Sequence, residues 1–186
     1  MDEEQLRAIT IGELTPHATK IVIEDYDPAW PDWFEWDRVR IADALGPVAL
    51  SIEHAGSTSV PGLPAKPVID ILLQVADTTA EDTYVPHLEA AGYALRVREP
   101  EWLEHRLLRR RGEPHDVNLH VFSPRYAAAE ITRMLTFRDW LRTHEADRNL
   151  YAATKRELAT RDWRYVQDYA DAKSDVVKQI LARAGA

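Results

Sequence analysis

The chain has 186 residues, 45% of them apolar, and a formal net charge of −8. That length supports one buried core and fits a single domain, and the acidic balance argues against a general nucleic-acid binder, which needs excess Lys and Arg. Cysteine is absent, which removes disulfides and thiolate chemistry. The first residues lack a basic-then-apolar leader and no apolar run is long enough for a bilayer, so the expected compartment is the cytoplasm.

Residues 1–20 mix acidic residues with a few aliphatics and end in TPHATK, and read as a peripheral extension ahead of one domain over 21–186. Residues 21–25, IVIED, read as a short strand, and Tyr26, Asp27 and Pro28 as a turn leading into a helix. Trp30, Trp33, Phe34, Asp37 and Ile41 recur at helical spacing. The series Trp30, Trp33, Trp36 could serve as a stacking platform for a ligand, but aromatics three apart fit a packing face better. Gly46 and Pro47 end this helix, 48–53 is a strand, and a turn at Gly56 follows.

Beyond a strand around Asp70, caps within 77–80 open a helix that runs to Ala91 and is closed by Gly92. Residues 93–98 and His105–Arg110 read as successive antiparallel strands. In DVNLHVF, Asp116–Phe122, the residues Val117, Leu119 and Val121 alternate with Asp116, Asn118 and His120, so the two sets face opposite sides of a strand. From Pro124 onward the pattern is helical in three segments, with breaks near 143–147 and 160–163. A mixed sheet with packed helices and a helical C-terminal region is an α+β fold.

The run EHAGSTSVPGLPAKPVIDILL, 53–73, is the most informative stretch. Val68, Ile69, Ile71, Leu72 and Leu73 read as a strand buried on both faces, and a carboxylate in its middle, Asp70, is costly unless a cation, metal or hydrogen-bond donor compensates it. Upstream, Gly56, Ser57, Thr58 and Ser59 offer closely spaced N–H groups and hydroxyls suited to phosphate oxygens. A P-loop is excluded: five residues separate Gly56 from Gly62, Leu63 follows, and Lys66 comes too late. No G-x-S-x-G elbow is present either, which argues against a serine hydrolase.

A strand, a Gly-Ser turn and a second strand bearing a carboxylate resemble the core of the nucleotidyltransferase superfamily. The whole string HAGSTSVPGLPAKPVIDI is similar to the signature of its GrpB branch. Further landmarks are DYDPAWPDWF at 25–34, Gly92 with Tyr93, NLHVF at 118–122, FRDWL at 137–141, Tyr151 with Lys155, and Tyr169 with Lys173. The resemblance implies a nucleotidyltransferase-like fold in which the Gly-Ser turn holds phosphates and strand carboxylates hold metal. Active members of the superfamily carry a second carboxylate two residues on, and here that position is Leu72. Asp70 is then a poor two-metal site, although one Mg²⁺ could be held by Asp70, water and the ligand's phosphates.

The expected function is binding of a nucleotide or phosphorylated small molecule, with Mg²⁺-dependent phosphoryl or nucleotidyl transfer or ATP-dependent activation. The alternative is an inactive nucleotide- or metabolite-binding regulatory module, which Leu72 favours. A third reading, a partner-binding protein using the Trp-rich helix, predicts an exposed apolar patch. Asp70 and His120 are the candidate catalytic residues, with Asp70 also the metal ligand. Gly56, Ser57, Thr58, Ser59, Lys66, Arg106, Lys155 and Lys173 are the candidates for phosphate, and His54, Arg138 and Asn118 are further cleft candidates. Alternation places Arg106 and Arg109 on opposite faces of their strand, and Arg106 is taken as the phosphate ligand. His17, His87, His105, His115 and His144 show no metal-ligand spacing and receive no role. In some proteins a domain resembling this one is fused to dephospho-coenzyme A kinase, which suggests a ligand related to coenzyme A or adenylate.

Overall fold

A computed structural model describes residues 2–14 and 20–185; His17 lies outside them. Five strands form one sheet: β1 (Ser51–Ala55), β2 (Val68–Gln74), β3 (Ala94–Glu99), β4 (His105–Arg110) and β5 (Asp116–Phe122). Their order is β1-β2-β5-β4-β3, with β2 and β5 parallel and the other pairs antiparallel. The helices are α1 (Glu3–Ile9), α2 (Trp30–Leu45), α3 (Val85–Ala90), α4 (Pro124–Thr143), α5 (Glu145–Ala159), α6 (Val166–Ala172) and α7 (Ser174–Ala184). The α+β class expected from the sequence is the one observed.

The sheet has two unlike faces because its strands alternate. Ile69, Ile71 and Leu73 of β2 and Val117, Leu119 and Val121 of β5 point to one side, where they pack with Trp30, Ile41 and Leu45 of α2 and Leu88 of α3. Full burial of such side chains contributes about 1.5–3 kcal/mol each, so this layer dominates the fold's stability. Trp30 is buried, Trp33 stacks on His115 at 4.9 Å, and Trp36 lies 4.9 Å beneath the Arg110 guanidinium. Trp30 and Trp33 are therefore packing residues, whereas Trp36 remains 46% exposed. Beneath α2 sits an ionic cluster: buried Asp37 accepts hydrogen bonds from Tyr93 Oη and from Arg110 Nη2, and its Oδ2 lies 2.6 Å from His115 Nε2.

The opposite face carries Asp70, Asn118 and His120 and is roofed by the C-terminal helices. Leu72 belongs to this face. It is fully buried with Ala55, Phe122, Ala127 and Ile131, which fastens α4 over one end of the sheet.

Four expectations differ from what is observed. The helix expected from caps within 77–80 to Ala91 is a 3-10 turn at Glu81–Thr83 followed by α3, whose start is set by Pro86 in its first turn. Residues 21–25 form no strand and make a single bridge, Glu24 to Ala65, because their neighbour there is a proline-rich loop that lacks the extended run needed for a ladder. The C-terminal region holds four helices instead of three: His144 separates α4 from α5, residues 160–165 separate α5 from α6, and a further break falls at Lys173. The strand expected at 48–53 begins at Ser51, since Gly46–Val48 is a 3-10 turn that extends the end of α2. In the N-terminal stretch, α1 is capped by Asp2 and Gln5, and Thr10 bridges to Val97 on the edge strand β3.

Candidate functional site

Asp70 lies at the centre of the roofed face, between Ala55 of β1 and Asn118 of β5. Asn118 Nδ2 donates to its Oδ1 at 2.9 Å, and His120 Nε2 stands 3.9 Å from the same oxygen. Burial acts to raise the Asp70 carboxyl. Hydrogen bonding and charge from His120, the Asn118 amide and the charge of Lys173 outweigh it, holding the group below the ordinary carboxylate range. Its side chain keeps 29% exposure, enough to meet a ligand.

The chain turns directly above this carboxylate. Gly56 has φ +64 and ψ −169, a conformation that glycine adopts without strain. Residues Ser57–Ser59 form one 3-10 turn. The Ser59 hydroxyl donates to the Gly56 carbonyl at 2.6 Å, and the Thr58 hydroxyl lies 3.0 Å from His54 Nε2, both side chains being buried. Gly56 and Ser57 instead line a cavity of about 190 Å³ with Arg138, Met134 and Tyr151. Gly56 and Ser57 thus face open space, while Thr58 and Ser59 brace the turn.

His54 falls on the α2 side of β1, opposite Ile71, and stacks on Phe34 at 4.7 Å. Burial pushes its imidazole down to about 4, so it stays neutral and acts as a prop beneath the turn. Arg138 Nη1 donates to the Glu53 carboxylate at 2.9 Å and to the His54 carbonyl at 3.1 Å, and Arg142 holds the Ser59 carbonyl at 3.0 Å. These two arginines bind α4 to the turn.

Arg106 lies away from Asp70. It is buried on the α2 side of β4, opposite Val121, and its Nε donates to Glu81 at 2.6 Å. Alternation was read correctly, but the face assignment requires the fold: Arg109 is the residue beside Asn118 on the Asp70 side. Arg109 is mostly buried, its Nε has no hydrogen-bond partner, and burial with the nearby charges of Arg111 and Arg96 pushes it down to about 10. Arg111 Nη2 donates to Asn118 Oδ1 at 2.7 Å. Lys66 is half-buried; desolvation and Arg111 lower its pKa against the opposing pull of Asp116 and Asp70. Lys66, Arg109 and Arg111 therefore form one cationic group beside Asp70.

A second cationic group comes from the roof. Lys155 is 2% exposed, its ammonium donates to the Pro64 carbonyl, and it lies 4.8 Å from the Tyr151 ring centroid. Burial, then repulsion from Lys173, pushes it down to about 7. Lys173 sits 4.5 Å from the Tyr169 ring and acts electrostatically on both Asp70 and Lys155. The four-residue spacing of each Tyr–Lys pair stacks cation on ring along one helical side.

Sequence reasoning missed His105 and Glu99. His105 is 3% exposed, its Nδ1 lies 2.6 Å from Glu99 Oε2, and its Nε2 lies 3.1 Å from His120 Nδ1. The period of two placed His105 on the same strand face as Arg109, but its partners come from neighbouring strands whose pairing no local pattern reveals.

The site gathers a partly exposed carboxylate on the sheet, cations on two sides and a glycine turn packed against the carboxylate, in an α+β protein. Comparison with known proteins then fixes the family. The sequence matches the GrpB protein family over residues 20–183. It is 55% identical to a UPF0157 protein of Halalkalibacterium halodurans over 99% of this chain and 92% of that protein. The crystal structure of the conserved protein GrpB from Enterococcus faecalis superposes with a TM-score of 0.77 at 31% identity, covering 88% of this chain and 96% of that one. A more distant match is to a dephospho-CoA kinase of Mycolicibacterium paratuberculosis, 29% identical over 85% of this chain but only 44% of that protein. The chain belongs to the GrpB family.

Proposed function

We propose that this protein binds a nucleotide or another phosphorylated small molecule between the sheet and the C-terminal helices, and that the Asp70 cleft supports phosphoryl or nucleotidyl transfer in the manner of nucleotidyltransferases. The observation that carries this reading is the gathering of Lys66, Arg109, Arg111, Lys155 and Lys173 about Asp70, with Asp116 the other carboxylate near them at 3.6 Å from Arg111 Nε, in a chain of net charge −8. Buried cations without matching anions are costly, and a ligand's phosphates would compensate them. Gly56 and Ser57 would meet phosphate oxygens at the rim, and Asp70 and His120 would orient the reacting group.

The donor set suits one loosely held Mg²⁺ better than two. Among the described residues no group of three His, Cys, Asp or Glu side chains is placed to hold a metal, and Leu72 is sealed in an apolar cluster. Asp70 would hold an ion that arrives with the phosphates, and the ion would supply charge neutralisation at the transferred group. The buried Leu72 equally favours a second reading, a module that binds such a ligand without turning it over. The distant kinase relative makes coenzyme A precursors worth including among the ligands.

Titration calorimetry with ATP, other nucleoside triphosphates and coenzyme A precursors, with and without Mg²⁺, tests this on wild type and Asp70→Asn. Metal-dependent binding lost in the variant supports the transferase reading. Metal-independent binding that survives it supports the silent module, and the absence of binding to every compound removes the nucleotide assignment.

A further inference from the structure

Strands β3 and β4 present arginines to both faces of the sheet, and the two faces treat them differently. On the α2 side Arg98 is opposite Arg106, and each guanidinium is bound to the Glu81 carboxylate at 2.6 Å. On the Asp70 side stand Arg109 and Arg96, and among the described residues no carboxylate pairs with either guanidinium. Arg96 is the extra residue of a β-bulge, where β3 shifts register against β4 between Leu95 and Val97, and its charge falls on Arg109 and Arg111. Bulges re-aim side chains beside sites. The N-terminal segment pins this one: the Ile11 N–H donates to the Arg96 carbonyl at 2.8 Å, and Gly12 lies beside the Arg96 guanidinium.

Protection of a sheet edge by charge explains Arg96 at most. Strand β4 is interior, between β5 and β3, and Arg109 Nε is shielded from water without a partner. An unpaired, partly desolvated cation is costly, and an anion from outside the chain is the compensation that remains. The register sets where that anion lies. Asp70, Asn118 and Arg109 form one row across β2, β5 and β4, and Arg96 stands one strand further, on β3. At the usual spacing between strands the row is about 14 Å long, beyond the reach of one phosphate held at Asp70. Arg111, bound to Asn118 at 2.7 Å, and Lys66 beside it flank the middle of the row.

We propose that the molecule bound at Asp70 carries further anionic groups, and that Arg109 and Arg96 form the subsite that holds them along the sheet to its β3 edge. This rests on the reading of the Asp70 cleft as a phosphate site, and it narrows the ligand class to small molecules whose anionic charge extends over roughly 10–14 Å, as in a polyphosphate chain or a second phosphate ester at the far end. A ligand with a single phosphate leaves Arg96 and Arg109 unmatched. A row one residue wide in a chain of net charge −8 suits a small polyanion, because a nucleic-acid chain needs a broad basic surface.

The test is calorimetry of the full chain with inorganic pyrophosphate and with a linear polyphosphate long enough to span the row, on wild type, Arg96→Gln and Arg98→Gln. Arg96 is exposed, so its side chain can be replaced without disturbing the core, and Arg98→Gln removes the same charge from the opposite face. The expected result is that the longer chain binds wild type about tenfold more tightly than pyrophosphate, that Arg96→Gln loses this gain, and that Arg98→Gln keeps it, with pyrophosphate affinity alike in all three. Equal binding of the two probes to wild type, or none, overturns the subsite. So does an equal loss in both variants, which is a general effect of charge. A single-stranded oligonucleotide that binds more tightly than the polyphosphate, with the same dependence on Arg96, overturns the small-molecule assignment. The two readings fail separately: ATP binding without a polyphosphate gain removes the subsite and leaves the nucleotide, whereas an Arg96-dependent gain without binding of any nucleotide or coenzyme A precursor keeps the subsite and removes the nucleotide assignment.

Discussion

Gly56 packs directly against the Asp70 side chain: a Cβ built on Gly56 would stand 2.8 Å from Asp70 Cβ and 2.9 Å from its Cγ. The rim of the cleft and its floor are thus in contact at the one position where the chain has no side chain. Gly56→Ala combines this overlap with a left-handed φ, and is expected to destabilise the fold by at least about 2 kcal/mol. It should also weaken whatever anion the cleft binds more than tenfold. Urea unfolding and calorimetry on the same preparation check both; a variant with wild-type stability would show that the turn is looser than described.

Asp37 joins Tyr93, Arg110 and His115 under α2, fully shielded from water. Removing one member of a buried ionic group leaves its partners uncompensated. Asp37→Ala should therefore cost about 3–5 kcal/mol in denaturant unfolding, while leaving the ligand profile of any folded fraction unchanged, since the cluster lies across the sheet from Asp70.

Lys155 gives a pH dependence of definite sign. Its folded pKa of about 7 lies below the ordinary lysine value of 10.5, so between these the unfolded chain binds the proton that the folded chain has lost. This group's contribution to stability rises with pH through that window, and the cost of burying its charge is fully present below pH 7. Stability measured at pH 6 and pH 10 should shift in favour of wild type over Lys155→Met by roughly 2–4 kcal/mol as pH rises. A pH-independent difference between the two proteins would mean the ammonium is not desolvated.

His54 acts at the acid end. Its folded pKa of about 4 lies below the usual 6.5, so its contribution is intact above pH 6.5 and is lost as pH falls toward 4. Wild type should lose roughly 3 kcal/mol more than His54→Gln over that interval, because glutamine keeps a bond to the Thr58 hydroxyl without a titrating ring. Unfolding midpoints at several pH values read this directly.

Much of the fold was legible in the sequence because its strands alternate cleanly. Val117, Leu119 and Val121 against Asp116, Asn118 and His120 predicted two faces, and the two faces are there. The polar member of an apolar strand, Asp70, was visible for the same reason. Which face of β4 meets the cleft was not visible, since Arg106 and Arg109 carry the same side chain and differ only in what other strands and α3's flank place beside them: Glu81 for one, Asn118 and Arg111 for the other. The burial of Lys155 was hidden too, as a lysine four residues after a tyrosine reads alike whether a helix faces water or a sheet.

The interment of Leu72 beneath α4, together with the grip of Arg142 on the Ser59 carbonyl, has a consequence for traffic through the cleft. Ceiling and doorway are riveted to the same floor, so the mouth keeps one width. The ligand proposed for this site would then be sorted by whether it fits a standing opening, a bulky one being turned away at the threshold instead of enfolded by a closing flap.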